Sequence, residues 1–93
     1  MDTRRLSETE VRTLLDEVSR RNVVVGAKQL KKAVKGGKAS RVYLALNADP
    51  AVTEPLEALC EQFHIACAWV PNMQDLGKAC GIEVGAAAAA AVD

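Results

Sequence analysis

Aromatic residues are almost missing from this chain. Trp69, Tyr43 and Phe63 are the only three in 93 residues. A reader of single-stranded nucleic acid needs several rings on which bases can stack, so that class is disfavoured. These three are expected in the core or at strand ends. Histidine occurs once, as His64. A nucleophile–base triad or a histidine-rich metal site has little to draw on, and no metal or cofactor is expected. Cysteine occurs three times, at Cys60, Cys67 and Cys80, an odd count with no C-x-x-C pair. That argues against a disulfide framework and for a reduced, cytoplasmic setting, with the thiols as core fillers. The first ten residues hold no apolar run of the kind a secretory signal needs, and the alanine run near the end is too short to span a membrane. Nucleotide-binding fingerprints of the G-x-x-x-x-G-K-[ST] and G-x-G-x-x-G types are absent. Asp49, Glu54 and Glu57 fall in or near a turn with no histidine or metal motif beside them. They read as surface or capping acids, so no enzyme is expected.

What the chain does have is an uneven distribution of charge. The net charge is zero. Residues 1–41 carry eleven Lys/Arg against five Asp/Glu, a balance of +6, and residues 42–93 carry one Lys against seven acids, a balance of −6. Eight basic residues and no acidic one lie within 20–41: Arg20, Arg21, Lys28, Lys31, Lys32, Lys35, Lys38 and Arg41. A local basic field steers a polyanion even when the whole molecule is neutral. The bland alternative is a lysine-rich solvated helix face.

Periodicity divides the chain into alternating helices and strands. Residues 1–5 are expected to be loose. Ser7-x-x-Glu10 fits a capping box, and Val11, Leu14, Leu15 and Val18 follow at helical spacing, so a helix is expected over 7–20. Val23, Val24 and Val25 form a short apolar strand. Gly26 breaks it. A helix over 27–35 follows, with Ala27, Leu30, Ala33 and Val34 inward and Lys28, Lys31, Lys32 and Lys35 outward. Gly36 and Gly37 stop it. A second strand is expected over 41–46, a turn over 47–50, and a helix with Pro55 in its first turn and Phe63 among its inward residues. A third strand over 65–70 and a short helix over 73–80, capped by Asn72 and closed by Gly81, complete the pattern. The tail over 83–92 suits either a helix by alanine propensity or a buried strand with small side chains. The alternation predicts a three-layer α/β/α sandwich.

The junction at Gly26 carries the functional expectation. A helix start exposes about four backbone N–H groups, and the helix dipole adds positive potential there. Glycine lets a ligand backbone come close. Lys28 and Gln29 project from the first turn, the first as a cationic donor and the second able to donate to and accept from a base edge. Lys32 stands one turn on.

The blocks G-A-K-Q-L-K-K-A-V (26–34) and Q-D-L-G-K-A-C-G-I-E-V (74–84) resemble the two hallmark stretches of the kink-turn RNA-binding ribosomal proteins of the L7Ae/L30e type. The likeness covers roughly residues 23–92, and the chain is most similar to small bacterial paralogues of that family. The resemblance implies one α/β domain over 1–93, a three-layer α/β/α sandwich around a four-stranded mixed sheet, with the alanine-rich tail as fourth strand. It also implies RNA as partner: a kink-turn, two stems around a bulge flanked by sheared G·A pairs, in ribosomal or other RNA. The family's Gly-x-Asn-Glu-x-x-Lys pattern falls here on Gly26, Lys28, Gln29 and Lys32, with Ala27 between. Lys28 and Gln29 stand where archaeal members have Asn and Glu, and the bacterial branch is similar in using Lys-Gln. The second block implies a loop over the extruded bulge nucleotide, here Ile82, Glu83 and Val84, with Lys78 near a phosphate. Val84 occupies the place of an Arg common in archaeal members, which removes one phosphate contact. A monomer is expected. The competing reading is a protein-interaction module on the same fold, using the first helix or the tail.

Overall fold

Alternation along the strands sets the layers. In the computed structural model, which describes residues 7–92, the elements are α1 (Glu8–Arg20), β1 (Val23–Val25), α2 (Ala27–Lys35), β2 (Ala39–Ala45), α3 (Pro50–Gln62), β3 (Ala66–Val70), α4 (Met73–Ala79) and β4 (Ala88–Val92). Successive strand residues point to opposite sides. Val42, Leu44, Ala88 and Ala90 therefore face one apolar cluster with Leu30, Val34, Leu56 and Cys60 of α2 and α3. Tyr43, Ala45, Ala89 and Ala91 face a second, with Leu14 and Val18 of α1 and Leu76 of α4. The expected α/β/α sandwich is what forms. The expectation for residues 1–5 lies outside the described residues.

The sheet order is β1-β4-β2-β3. β2 and β3 pair parallel, while β4 runs antiparallel to both β1 and β2. The sheet is thus four-stranded and mixed. β4 sits inside it with helices over both faces. Alanine suits that place, because its small side chain lets backbones from two layers approach, and Ala88 to Ala91 are all fully buried. Burial overrides the helix propensity of the run. The strand is shorter than the 83–92 tail, and 83–87 is a loop.

Several boundaries differ from the sequence reading; β2 starts two residues early, at Ala39, and the largest shift is in α3. α3 begins at Pro50, not Pro55. Asp49 accepts a hydrogen bond from the Ala51 N–H at 2.9 Å, and Pro50 takes the first helical position, where its missing N–H costs nothing. Turn and cap chemistry use the same residue types, which is why 47–50 reads as a plain turn. Pro55 lies inside the helix on its exposed side. Phe63, expected inward, is the C-cap residue of α3 and is 39% exposed.

Three helices end the same way. After α2, Lys38 N–H reaches back to Ala33 C=O at 2.9 Å and Gly37 N–H to Val34 C=O at 3.1 Å. After α3, Ile65 N–H reaches Cys60 C=O at 2.9 Å and His64 N–H reaches Glu61 C=O at 3.3 Å. After α4, Ile82 N–H reaches Gly77 C=O and Gly81 N–H reaches Lys78 C=O, both at 3.0 Å. These are Schellman motifs, which place one residue in the left-handed region. Glycine fills it at Gly37 (φ +71°) and Gly81 (φ +81°), but His64 does so at φ +56°. A side chain there costs about 1 kcal/mol, which the surrounding packing offsets.

α1 is held to the sheet by a polar contact as well as by Leu14 and Val18. Arg41 Nη1 donates to both Glu17 carboxylate oxygens, at 2.9 and 3.0 Å, and Tyr43 O–H donates to Glu17 Oε1 at 2.6 Å. The Tyr43 hydrogen bond, helped by Arg41, holds the Glu17 pKa below its ordinary value against the opposing effect of burial. Burial, then the Glu17 contact, pushes Tyr43 up to about 12. The carboxylate stays charged and the phenol protonated across the neutral range.

Candidate functional site

Every strand end at one edge of the sheet feeds a helix start. β1 leads to α2, β2 to α3 and β3 to α4, and β4 begins there after the 82–87 loop. The starts are not equivalent. Ser7 accepts from Glu10 N–H at 3.2 Å, Asp49 from Ala51 N–H at 2.9 Å, and Asn72 from Asp75 N–H at 2.8 Å. Each of those side chains uses up a donor of its own helix. α2 has Gly26 instead, with φ +98° and no side-chain cap. Its first intrahelical bond is Leu30 N–H to Gly26 C=O at 3.0 Å. The N–H groups of Ala27, Lys28 and Gln29 precede it, and they are what an outside acceptor would meet. A Cβ on Gly26 would meet nothing within 4 Å. The glycine is required for its backbone angle, and the open space above it leaves room for a ligand.

Lys28 and Gln29 are exposed, as are Lys31, Lys32, Lys35 and Lys38, while Gly26 and Ala27 are half-buried. Gln29, Lys32 and Lys38 rim a hollow of about 350 Å³ floored by Val24, Ala33 and Val92. The eight basic residues of 20–41 do not act together. Arg20 pairs with Asp16 at 2.9 Å, and Arg21 and Arg41 pair with Glu17 at 3.5 and 2.9 Å, all through α1 on the other side of the sheet. The cationic patch is the lysines alone. α3, beside α2 in the same layer, carries exposed Glu54 and Glu61, so this layer is basic on one side and acidic on the other.

The 82–87 loop reaches the same corner and is fixed at three points. Ile82 N–H binds Gly77 C=O at 3.0 Å, Ala86 N–H binds Met73 C=O at 2.9 Å, and Ala45 N–H binds Ala87 C=O at 3.0 Å. The strand that follows is tied to α2 itself, because Gly26 N–H donates to Ala88 C=O at 3.0 Å. Ile82 is half-buried against the α1/α4 cluster, Glu83 is exposed, and Val84 is 71% exposed. Ile82 thus anchors the loop and Val84 is its free apolar tip. Lys78 stands apart. It is exposed in the last turn of α4, on the layer opposite α2.

Sequence reading gave no role to two residues that shape this corner. Gly77 lies under the loop, where a Cβ would come within 2.1 Å of Val84 O. An isolated glycine inside a helix pattern is the signal that could have found it. Asn47 Oδ1 accepts from Met73 N–H at 2.8 Å and joins the β2–α3 turn to α4. Lys38, already part of the basic stretch, extends the lysine patch beyond the helix. Among the described residues no group of three or more His, Cys, Asp or Glu could hold a metal ion, and no helix is long and apolar enough to cross a membrane.

These features define a three-layer α/β/α protein with one uncapped helix start set among lysines at the end of a mixed sheet. The chain belongs to the ribosomal protein L7Ae/L30e/S12e/Gadd45 family, whose model matches residues 9–93 and so takes in α1 as well. A relative from Caldanaerobacter subterraneus subsp. tengcongensis, described as an RNA-binding protein, is 45% identical over 69 residues, 74% of this chain and 84% of that one. Another RNA-binding protein, from Bacillus pumilus, is 42% identical over 76 residues, 81% of this chain and 93% of its own length. Among solved structures, a Giardia lamblia 15.5kD RNA binding protein superposes with a TM-score of 0.84 at 26% identity, covering 100% of this chain and 84% of that chain.

Proposed function

We propose that this protein is a non-catalytic RNA-binding protein that recognises kink-turn RNA with the N-terminal tip of α2, acting as a monomer on ribosomal or other structured RNA. The observation that carries this reading is the uncapped start at Gly26, flanked by exposed Lys28, Gln29 and Lys32, in a family with relatives described as RNA-binding. A sharp RNA bend brings phosphates of two stems close together. Three N–H groups and the adjacent lysines supply donors and charge for them. Gln29 reads the edge of a sheared G·A pair, and Ala27, being small, keeps the approach open. Val84 offers an apolar cover for an unstacked base, with Ile82 fixing the loop and Glu83 beside it. Lys78, from the opposite layer, reaches a more distant phosphate. Recognition of this kind uses bulges and unpaired edges, since a regular A-form major groove is too narrow to read.

Lys32 and Gln29 have separable roles. Lys32→Ala should weaken binding to every RNA tested and lower the slope of log K against log salt by about 1. Filter binding at a series of salt concentrations measures it. An unchanged slope would remove Lys32 from the phosphate contacts.

A further inference from the structure

The turn after α3 brings two thiols together. α3 ends at Gln62 and β3 begins at Ala66, so the chain reverses within three residues, with His64 in the left-handed region and Ile65 N–H tied back to Cys60 C=O at 2.9 Å. Cys60 lies on the inward side of α3 with Thr53 and Leu56, and is 1% exposed. Cys67 lies on the side of β3 that faces α3 and is half-buried. Both belong to the same apolar cluster, and their thiols are hydrogen-bonded to each other. β3 is an edge strand, paired only with β2. Cys80 packs on the opposite face of the sheet, with the strands between it and this pair.

We propose that Cys60 and Cys67 form a dithiol that hydrogen peroxide converts to an intrachain disulfide, stapling the end of α3 to the edge strand β3. No disulfide joins the two cysteines in the structure. Cys67, the more accessible, attacks one peroxide oxygen as its thiolate. It becomes a sulfenic acid, and the other oxygen leaves as hydroxide, which takes up a proton to give water. Cys60 then attacks the Cys67 sulfur. The S–S bond forms, the S–O bond breaks, and the Cys60 proton leaves with the hydroxyl as a second water. Two thiols are oxidised by two electrons and one peroxide is reduced to two waters. Cys60 is placed for the second step, because it lies in the same apolar cluster as the Cys67 sulfur. In the reduced protein the hydrogen bond from Cys67 holds the Cys60 pKa below the ordinary thiol value, against burial and the Glu57 charge, which push it up. Burial alone raises Cys80, which makes it the poorer nucleophile. The pair lies at the α3–β3 reversal, away from the α2 tip, so the staple is independent of the RNA reading.

The test uses the reduced full-length chain, treated with stoichiometric peroxide, denatured, alkylated and weighed. The expected product has lost about 2 Da, the two hydrogens of a disulfide. Its alkylatable thiols fall from three to one. Cleavage after Glu61 and after Lys78 puts each cysteine on its own fragment, and the fragments of Cys60 and Cys67 should stay joined until a reductant is added, with that of Cys80 separate. The oxidised protein should melt at a higher temperature, reversibly. Cys80→Ala should respond as the wild type does, and Cys67→Ser should lose the response. The proposal is overturned if all three thiols stay alkylatable, if oxygen is gained with no loss of hydrogen, or if the bridge includes Cys80 or joins two chains. The wild-type cleavage decides the matter even if Cys67→Ser fails to fold.

Discussion

Gly77→Ala is expected to lower the thermal midpoint by about 8–16 °C. The reason is geometric. A Cβ at position 77 would lie 2.1 Å from Val84 O and 3.1 Å from Gly85 Cα. Both are backbone atoms of a loop fixed at Ile82, Ala86 and Ala87, so no flexible side chain can move aside. The loop must shift by about an ångström or α4 must tilt. Overpacking of this kind costs about 1–3 kcal/mol and sometimes more. Alanine returns up to about 1 kcal/mol of helix propensity, leaving a net loss near 2 kcal/mol. For a chain of this size each kcal/mol moves the midpoint by about 4–8 °C. Calorimetry measures it directly. An unchanged or higher midpoint would mean that the loop does not rest on α4. RNA affinity should fall with the midpoint, because the displaced segment carries Val84.

The second large effect is on discrimination. Gln29→Ala should weaken binding to a kink-turn with intact G·A pairs by about 5- to 150-fold, the range for losing one good base-edge contact of 1–3 kcal/mol. It should change little for an RNA whose G·A pairs are replaced by Watson–Crick pairs, since that RNA offers the amide no matching edge. Gln29 is exposed in the first turn, on the rim of the α2 hollow, so truncating it removes little packing. Alanine also keeps the helix. Comparing both RNAs with both proteins isolates the pair-specific part. Equal losses on the two RNAs would show that Gln29 contributes only general contact.

Some of this corner is legible in the sequence because its causes are local. Gly26 between three valines and a lysine-rich helix needs no tertiary knowledge. Nor do the Ser7 and Asn72 caps, or the glycines that end α2 and α4. What the sequence hides depends on long-range contact. Arg41 looks like one more member of a basic stretch until the sheet turns it toward Glu17, 24 residues earlier. Gly77 looks like a weak helix residue until the Val84 carbonyl is found above it. Asp49 and Pro50 look like a turn because a cap and a turn draw on the same chemistry. The alanine run has a strong local preference for helix, and only its place inside a two-sided sheet makes it β4. His64 in a left-handed turn is against local preference altogether, and the α3–β3 packing imposes it.

The measurement that bears most directly on this account is titration of the wild-type protein against a kink-turn RNA and a plain duplex of matched length, at low and at physiological salt. Recognition by the α2 tip predicts that the kink-turn binds more tightly at both salts and that its advantage persists as salt rises, because geometry and base edges survive screening better than charge does. If the two RNAs bind alike, and both are lost together as salt rises, the lysines are a general polyanion surface and the reading of the α2 tip is wrong.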